Sequence, residues 1–226
     1  MMTSPEEYYE YHLKGKSAEQ IMTQIRGLKR EINRLIRILE HPDYEQTIDP
    51  GEDVQLYCTW EYLERAKSAL AEAGGTYVPT KAEQKELVFL ENMPYICSII
   101  FSIGGFFSGY ETRIFTIDEQ VNLRVENLFA AESNESERKL ELTKEELFDG
   151  LRSLHIGQWR RKYENSSVMD GTQWDLTIVF SNGHRKICIS GSNAYPYNFR
   201  DFLDLLGVPG GEGNGECYDD AEDCSL

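Results

Sequence analysis

The chain has 226 residues, 40% of them hydrophobic and 12% aromatic, which is enough for one substantial core or two small ones and excludes a chain disordered throughout. Its 39 acids outnumber 23 bases, giving a formal charge of −16. That surplus argues against general binding to bare nucleic acid and favours basic partner surfaces.

In chain order, Ser4, Pro5, Glu6 and Glu7 open a short helix by N-cap, first-turn proline and acids at the positive end; it closes near Gly15. Its rings, Tyr8, Tyr9, Tyr11 and His12, are expected to cover the end of the next helix. That helix, over 17–40, is the strongest periodic segment. Ile21, Ile25, Leu28, Ile32, Leu35 and Leu39 form one narrow apolar seam, Ser17 with Gln20 reads as a capping box, and Pro42 stops continuation. Arg26, Arg30, Arg34 and Arg37 cluster on the opposite side, and Lys29 is grouped with them as a partner-binding candidate. Such a row is either a solvated polar face or a ladder of guanidiniums for phosphates or carboxylates.

A second helix over 53–73 places Leu56, Trp60, Leu63 and Leu70 on one face and ends at Gly74-Gly75. Two helices of matched length joined by a proline-containing loop are expected to form an antiparallel hairpin. Lys67 interrupts the second seam, which argues for a hairpin packed on something else. Closure of the first seam on a second copy, a homodimer, stays open.

Thr80 with Glu83 caps a third helix to about residue 91, and the period then changes to strands over 95–103, 110–117 and 121–129, an antiparallel meander. The GGFFSG between the first two has no phosphate-loop lysine and reads as a glycine-rich hairpin connection. Residues 131–142 read as an exposed loop. Thr143 with Glu146 caps a helix carrying Leu147, Phe148, Leu151 and Leu154, with Gly157 as its left-handed stop. A strand over 158–163 follows, then a hairpin of 173–181 and 184–190 turned by Asn182-Gly183. The last helix is capped by Asn198, buries Phe199, Phe202, Leu203 and Leu206, and ends at Gly207. Residues 211–226 carry six acids and no base, so the preceding 210 residues still hold −10.

The fold class expected is α+β: an N-terminal antiparallel helical hairpin followed by an antiparallel β-sheet domain with two packed helices. The divisions are a helical region over 1–78, a sheet domain over 79–210 and an acidic disordered tail over 211–226. No apolar run approaches 18 residues and no secretion-type leader opens the sequence, so a cytoplasmic protein without a membrane span is expected. Five scattered cysteines, Cys58, Cys97, Cys188, Cys217 and Cys224, suit reduced thiols and match no zinc pattern.

The run W-x-L-x-I, an Asn-Gly turn, then I-x-I-x-G-S-N-A-Y-P-x-N-F, over 174–199, resembles a module of small uncharacterised bacterial proteins, many in mobile-element settings. The resemblance covers about the last third of the chain and brings no activity. The compact, acidic profile is similar to that of anti-CRISPR inhibitors, which implies a protein partner.

Candidate chemistry is sparse. The loop with Ser192 and Asn193 leads from a strand into a helix, and its N–H groups could hold an anion there, although tight turning accounts for most of the motif. Trp159, Arg160, Arg161, Lys162 and Tyr163 combine rings with bases; by letters they are similar to the plant WRKY signature, whose continuation and zinc ligands are missing. As a strand they would place Trp159, Arg161 and Tyr163 on one side. His12, His41, His155 and His184 lie in unrelated segments, none beside a nucleophile motif. The chain therefore reads as non-catalytic, without cofactor or metal. The function expected is an interaction or inhibitor protein whose acidic surface engages a protein or nucleoprotein that handles nucleic acid, a CRISPR effector among them. The alternative is a nucleic-acid-binding accessory protein using the basic stripe of the helix over 18–40.

Overall fold

A computed structural model describes residues 3–46, 48–105, 109–128, 136–139, 142–168 and 170–208. The tail expected over 211–226, with Cys217 and Cys224, lies outside them. Helix starts follow from capping. Ser4, Ser17, Thr80 and Thr143 each accept from the N–H three residues on, and the Glu or Gln there bonds back to the cap. These boxes open α1 (Pro5–His12), α2 (Ala18–Leu39), α4 (Lys81–Asn92) and α5 (Lys144–Ser153). α3 (Glu52–Glu72) starts from Gly51 with no side-chain cap. α6 (Phe199–Leu205) also lacks the expected cap: the Asn198 amide instead donates to the Leu154 carbonyl at 2.8 Å, tying α6 to the end of α5.

α2 and α3 form the antiparallel hairpin, with Ala18 at the start of α2 beside Leu70 and Gly75 at the end of α3. Ile21, Ile25, Ile32 and Leu35 pack on Leu56, Leu63, Ala66 and Leu70 in one buried cluster. Each such Leu or Ile contributes about 1.5–3 kcal/mol by leaving water. Leu28, Leu39 and Trp60 sit half-buried at its margin. The α1 rings pack on α3, not on α2: Tyr8 stacks on Tyr62 at 4.4 Å, the Arg65 guanidinium lies 3.8 Å over Tyr9, and Tyr11 is left 77% exposed.

The rest of the chain is a seven-stranded sheet in the order β4-β3-β2-β1-β6-β7-β5. Its strands are β1 (Ile96–Gly105), β2 (Gly109–Ile117), β3 (Val121–Leu128), β4 (Ser136–Lys139), β5 (Lys162–Glu164), β6 (Gln173–Phe180) and β7 (Ile187–Ser192). Alternation puts Ile99, Phe101, Phe115, Leu123, Leu176 and Ile189 on one face, in a single core with Phe89, Leu147, Leu151 and Phe202 from α4, α5 and α6. Arg113 is the buried exception on that face. Its Nη1 donates to the Leu206 and Gly207 carbonyls at the C-terminus of α6, where a cation suits the helix dipole.

Four local expectations are corrected. Residues 158–161 are not strand: Ile156–Gln158 is a 3-10 turn, and only the short β5 follows, parallel to β7 in an otherwise antiparallel sheet. β4 pairs with β3 inside the segment expected as loop. The β6–β7 connection spans 181–186, longer than an Asn-Gly turn, with Gly183 at φ 80°. The left-handed residue after α5 is His155 at φ 50°, not Gly157. Gly157 is needed for proximity, since a Cβ there would lie 2.5 Å from Glu86 Oε2.

Candidate functional site

The arginines of α2 stand on its solvent face. Arg26, Arg30, Arg34 and Arg37 are all exposed, and with Gly27 and Asn33 among them the helix presents a shallow groove of about 500 Å³. Arg30 and Arg37 each give only Nε to a carbonyl one turn back, Arg26 O and Asn33 O, so their terminal nitrogens point outward. Arg34 is partly spent: it grips Glu31 with two bonds of 2.9 and 2.6 Å, which hold the Glu31 carboxyl below its usual range.

Lys29 does not belong to this row. Its ammonium turns inward and meets Glu83 at 2.6 Å and the Tyr77 hydroxyl at 2.7 Å. Glu83 also takes the Thr80 N–H and hydroxyl, each at 2.7 Å, and lies 3.4 Å from Lys67. Burial alone would raise that carboxyl, but the bonds from Lys29, Thr80 and Tyr77 outweigh it and hold it at about 2. The lysines of both hairpin helices therefore converge on the N-terminus of α4. The interruption by Lys67 is a docking point for α4.

Beside the row lies a crevice of about 580 Å³ where the hairpin meets α4, the 3-10 turn and the segment before α6. Asn33 and Arg37 line both the groove and this crevice, so the two are continuous. Its walls are rings: Trp60 from α3 stacked on His155 at 4.8 Å, with Trp159, Tyr163 and Tyr197. The Trp159 residue is only 7% exposed, and neither its indole N–H nor that of Trp60 finds an acceptor among the described residues. Two carboxylates lie on the inner side. Burial pushes the Glu40 carboxyl up against the opposing pull of Arg160 and the Tyr197 N–H. Glu86, buried on α4, has no hydrogen-bond donor among the described residues, and its nearest ion-pairing group is His155 Nδ1 at 3.5 Å. Burial also raises Tyr163 to about 12 and lifts Tyr197 further, with Glu86 and Glu40 adding to the latter, so both phenols stay neutral.

The secondary candidates separate. Trp159 is a core ring edge-on to Phe202 and lines the crevice. Arg160 bonds the Glu40 carboxylate at the end of α2 and lies 4.5 Å over the Tyr163 ring. Arg161 is exposed, so the expected side shared with Trp159 and Tyr163 is not formed; Lys162 pairs with Glu164 at 2.5 Å on the outer edge strand. Ser192 ends β7, and Asn193 at φ 52° spends its amide on the Val168 carbonyl. In the same loop Gly191 packs on the Trp174 ring, whose N–H bonds Ala194 O, so the loop's groups serve its own turn.

Sequence reasoning passed over the outer face of α3. Asp53, Tyr57, Glu61, Glu64, Ser68 and Glu72 follow one another at helical spacing and are all exposed, with Tyr57 at 67%. That spacing was readable in the sequence. The membership of Glu40, Glu86 and His155 in the crevice was not, because they come from three separate elements. No protein-family model, curated protein or solved structure matches this chain. Among the described residues no acid, histidine and cysteine cluster could hold a metal, and no helix is long and apolar enough to cross a membrane.

Proposed function

We propose that the chain is a non-catalytic interaction protein whose acidic surface docks on a basic groove of a partner that handles nucleic acid. The observation that carries this reading is the outer face of α3, where an exposed Tyr57 stands among Asp53, Glu61, Glu64 and Glu72. An aromatic anchor ringed by one sign of charge suits a complementary basic surface, the ring supplying contact area and the charges steering the encounter. A CRISPR effector, with its positively charged channel, is a partner of this chemistry. The test is retention of purified, guide-loaded effector on the immobilised protein. Retention should fall as salt rises from about 50 to about 500 mM and vanish in an E61K/E64K variant, because screening and charge reversal remove the same attraction. Retention indifferent to both counts against the reading.

A second reading is favoured by the continuity of the α2 arginines with the ring-lined crevice. Here the basic strip takes single-stranded nucleic acid, and the acidic remainder of the molecule confines the strand to that face. The two readings are compatible in a nucleoprotein, α3 meeting protein and α2 meeting the strand. A mobility shift with a short single strand tests it: R30E/R34E should abolish the shift, and no shift by the native protein at low salt ends the reading.

A further inference from the structure

We infer that the crevice is a nucleobase pocket, taking the base of a single strand or of a free nucleotide between its rings while the phosphate lies on the α2 arginines. This rests on the second reading and turns a charged face into a site with a shape. Its volume, about 580 Å³, falls in the range of about 300–1,000 Å³ that small-ligand pockets occupy.

Charge order sets the direction of entry. Arg37 stands exposed at the mouth, while the Glu40 and Glu86 carboxylates lie on the buried side. Inner carboxylates repel a phosphate and accept N–H groups, which guanine, adenine and cytosine offer on their edges; outer guanidiniums do the reverse. A nucleotide therefore fits in one orientation only, base inward. The Tyr163 and Tyr197 phenols, kept neutral by burial, add no further negative charge.

The hydrogen-bond deficit has the matching sign. The indole N–H groups of Trp60 and Trp159 are buried without acceptors, and a desolvated donor gains most from an incoming carbonyl or ring nitrogen. Each carbonyl or ring nitrogen on a base edge is such an acceptor. Preorganisation comes from His155, whose φ of 50° is one that few non-glycine residues adopt. That backbone lays its ring on Trp60 at an interplanar angle of 19°, a rigid platform rather than a pair assembled on binding.

Two of the three tryptophans line the crevice and the third, Trp174, is bonded to Ala194 O in the core, so intrinsic fluorescence reports on the site. The experiment titrates the full chain at low salt with a mixed-sequence 12-nucleotide single strand, the same strand made abasic, and each nucleoside monophosphate. The base-bearing strand should quench fluorescence and bind about tenfold tighter than the abasic one, the scale of one stacked base. The W60F/W159F variant, which keeps rings and loses both N–H groups, should narrow that ratio. Equal binding of the two strands, both weakened by R30E/R34E, overturns the pocket and leaves the strip reading standing. Quenching by a monophosphate that R30E/R34E does not weaken supports the pocket and removes the strip. Absence of binding by every probe overturns both.

Discussion

The outer faces of α2 and α3 are built from the same helical spacing and carry opposite charge. One presents Arg26, Arg30, Arg34 and Arg37, the other Asp53, Glu61, Glu64 and Glu72 around Tyr57. Beneath both lies one shared seam, and the lysines that would blur the contrast, Lys29 and Lys67, are drawn inward to Glu83. A hairpin of this kind can be read as a charge-separated bar: stability lives on the inside and recognition on the outside. It also explains how an acidic chain keeps a basic face, since the surplus of acids lies on other surfaces.

The most direct way to break the contrast is through the seam. Leu63 is 1% exposed and Leu35 is fully buried, so Leu63→Ala or Leu35→Ala should cost about 3 kcal/mol by lost transfer and cavity terms, lowering the denaturation midpoint. Binding through either face should then fail together in the unfolded fraction. A loss confined to one face would mean that the helices do not depend on a common core.

Next in size is the Glu83 junction. Its carboxyl sits at about 2 in the folded chain against 4.5 for the free group, so the unfolded state binds the proton first. The stabilisation is complete above about pH 4.5 and is lost as pH falls towards 2, an effect of about 2–3 kcal/mol for a group this shielded. Thermal melts across that window should show the slope, and Lys29→Met should flatten it. A variant with the native slope would place the acid sensitivity elsewhere.

How far this was legible in the sequence differs between the two helices. The α2 seam and arginine row stand out because 3.6-residue periodicity sorts apolar from charged residues with few exceptions. Lys29 was misassigned because helical angle places it near the row, whereas a long flexible side chain goes to the nearest buried carboxylate. The α+β class followed from the change of period at β1, but β5 did not: Trp159-Arg-Arg-Lys-Tyr163 has strand-like letters, and burial of the Trp159 ring in the core bends the chain into a turn first. Asn198 was read as a cap from local preference, and a tertiary acceptor, Leu154 O, outbid the helix for its amide. The crevice had no sequence signature, because Trp60, Glu86 and His155 meet only through packing of α4 against both halves.

A smaller effect sharpens the contrast at its boundary. Arg160 joins the sheet to Glu40 at the end of α2, and Arg160→Met should leave that half-desolvated carboxyl without its cation, costing about 1 kcal/mol in urea melts. Titration of the variant should show the Glu40 carboxyl rising further above its usual range, since burial would act with less opposition. An unchanged titration would show that the link does not tune the crevice.

The smallest stability effects should come from the charged faces themselves. Arg34 and Glu31 are both half-exposed, and an i,i+3 pair on a helix surface contributes only about 0.2–0.5 kcal/mol, so Arg34→Gln should barely move the melting temperature. Glu61→Gln, on the other helix, should move it no more, because surface substitutions away from caps and cores stay within about 0.5 kcal/mol. Binding should respond asymmetrically, with nucleic acid sensing the first substitution and a basic protein surface the second. If either change destabilised the chain by more than about 1 kcal/mol, that face would be part of the scaffold, and its charge would be explained without a partner.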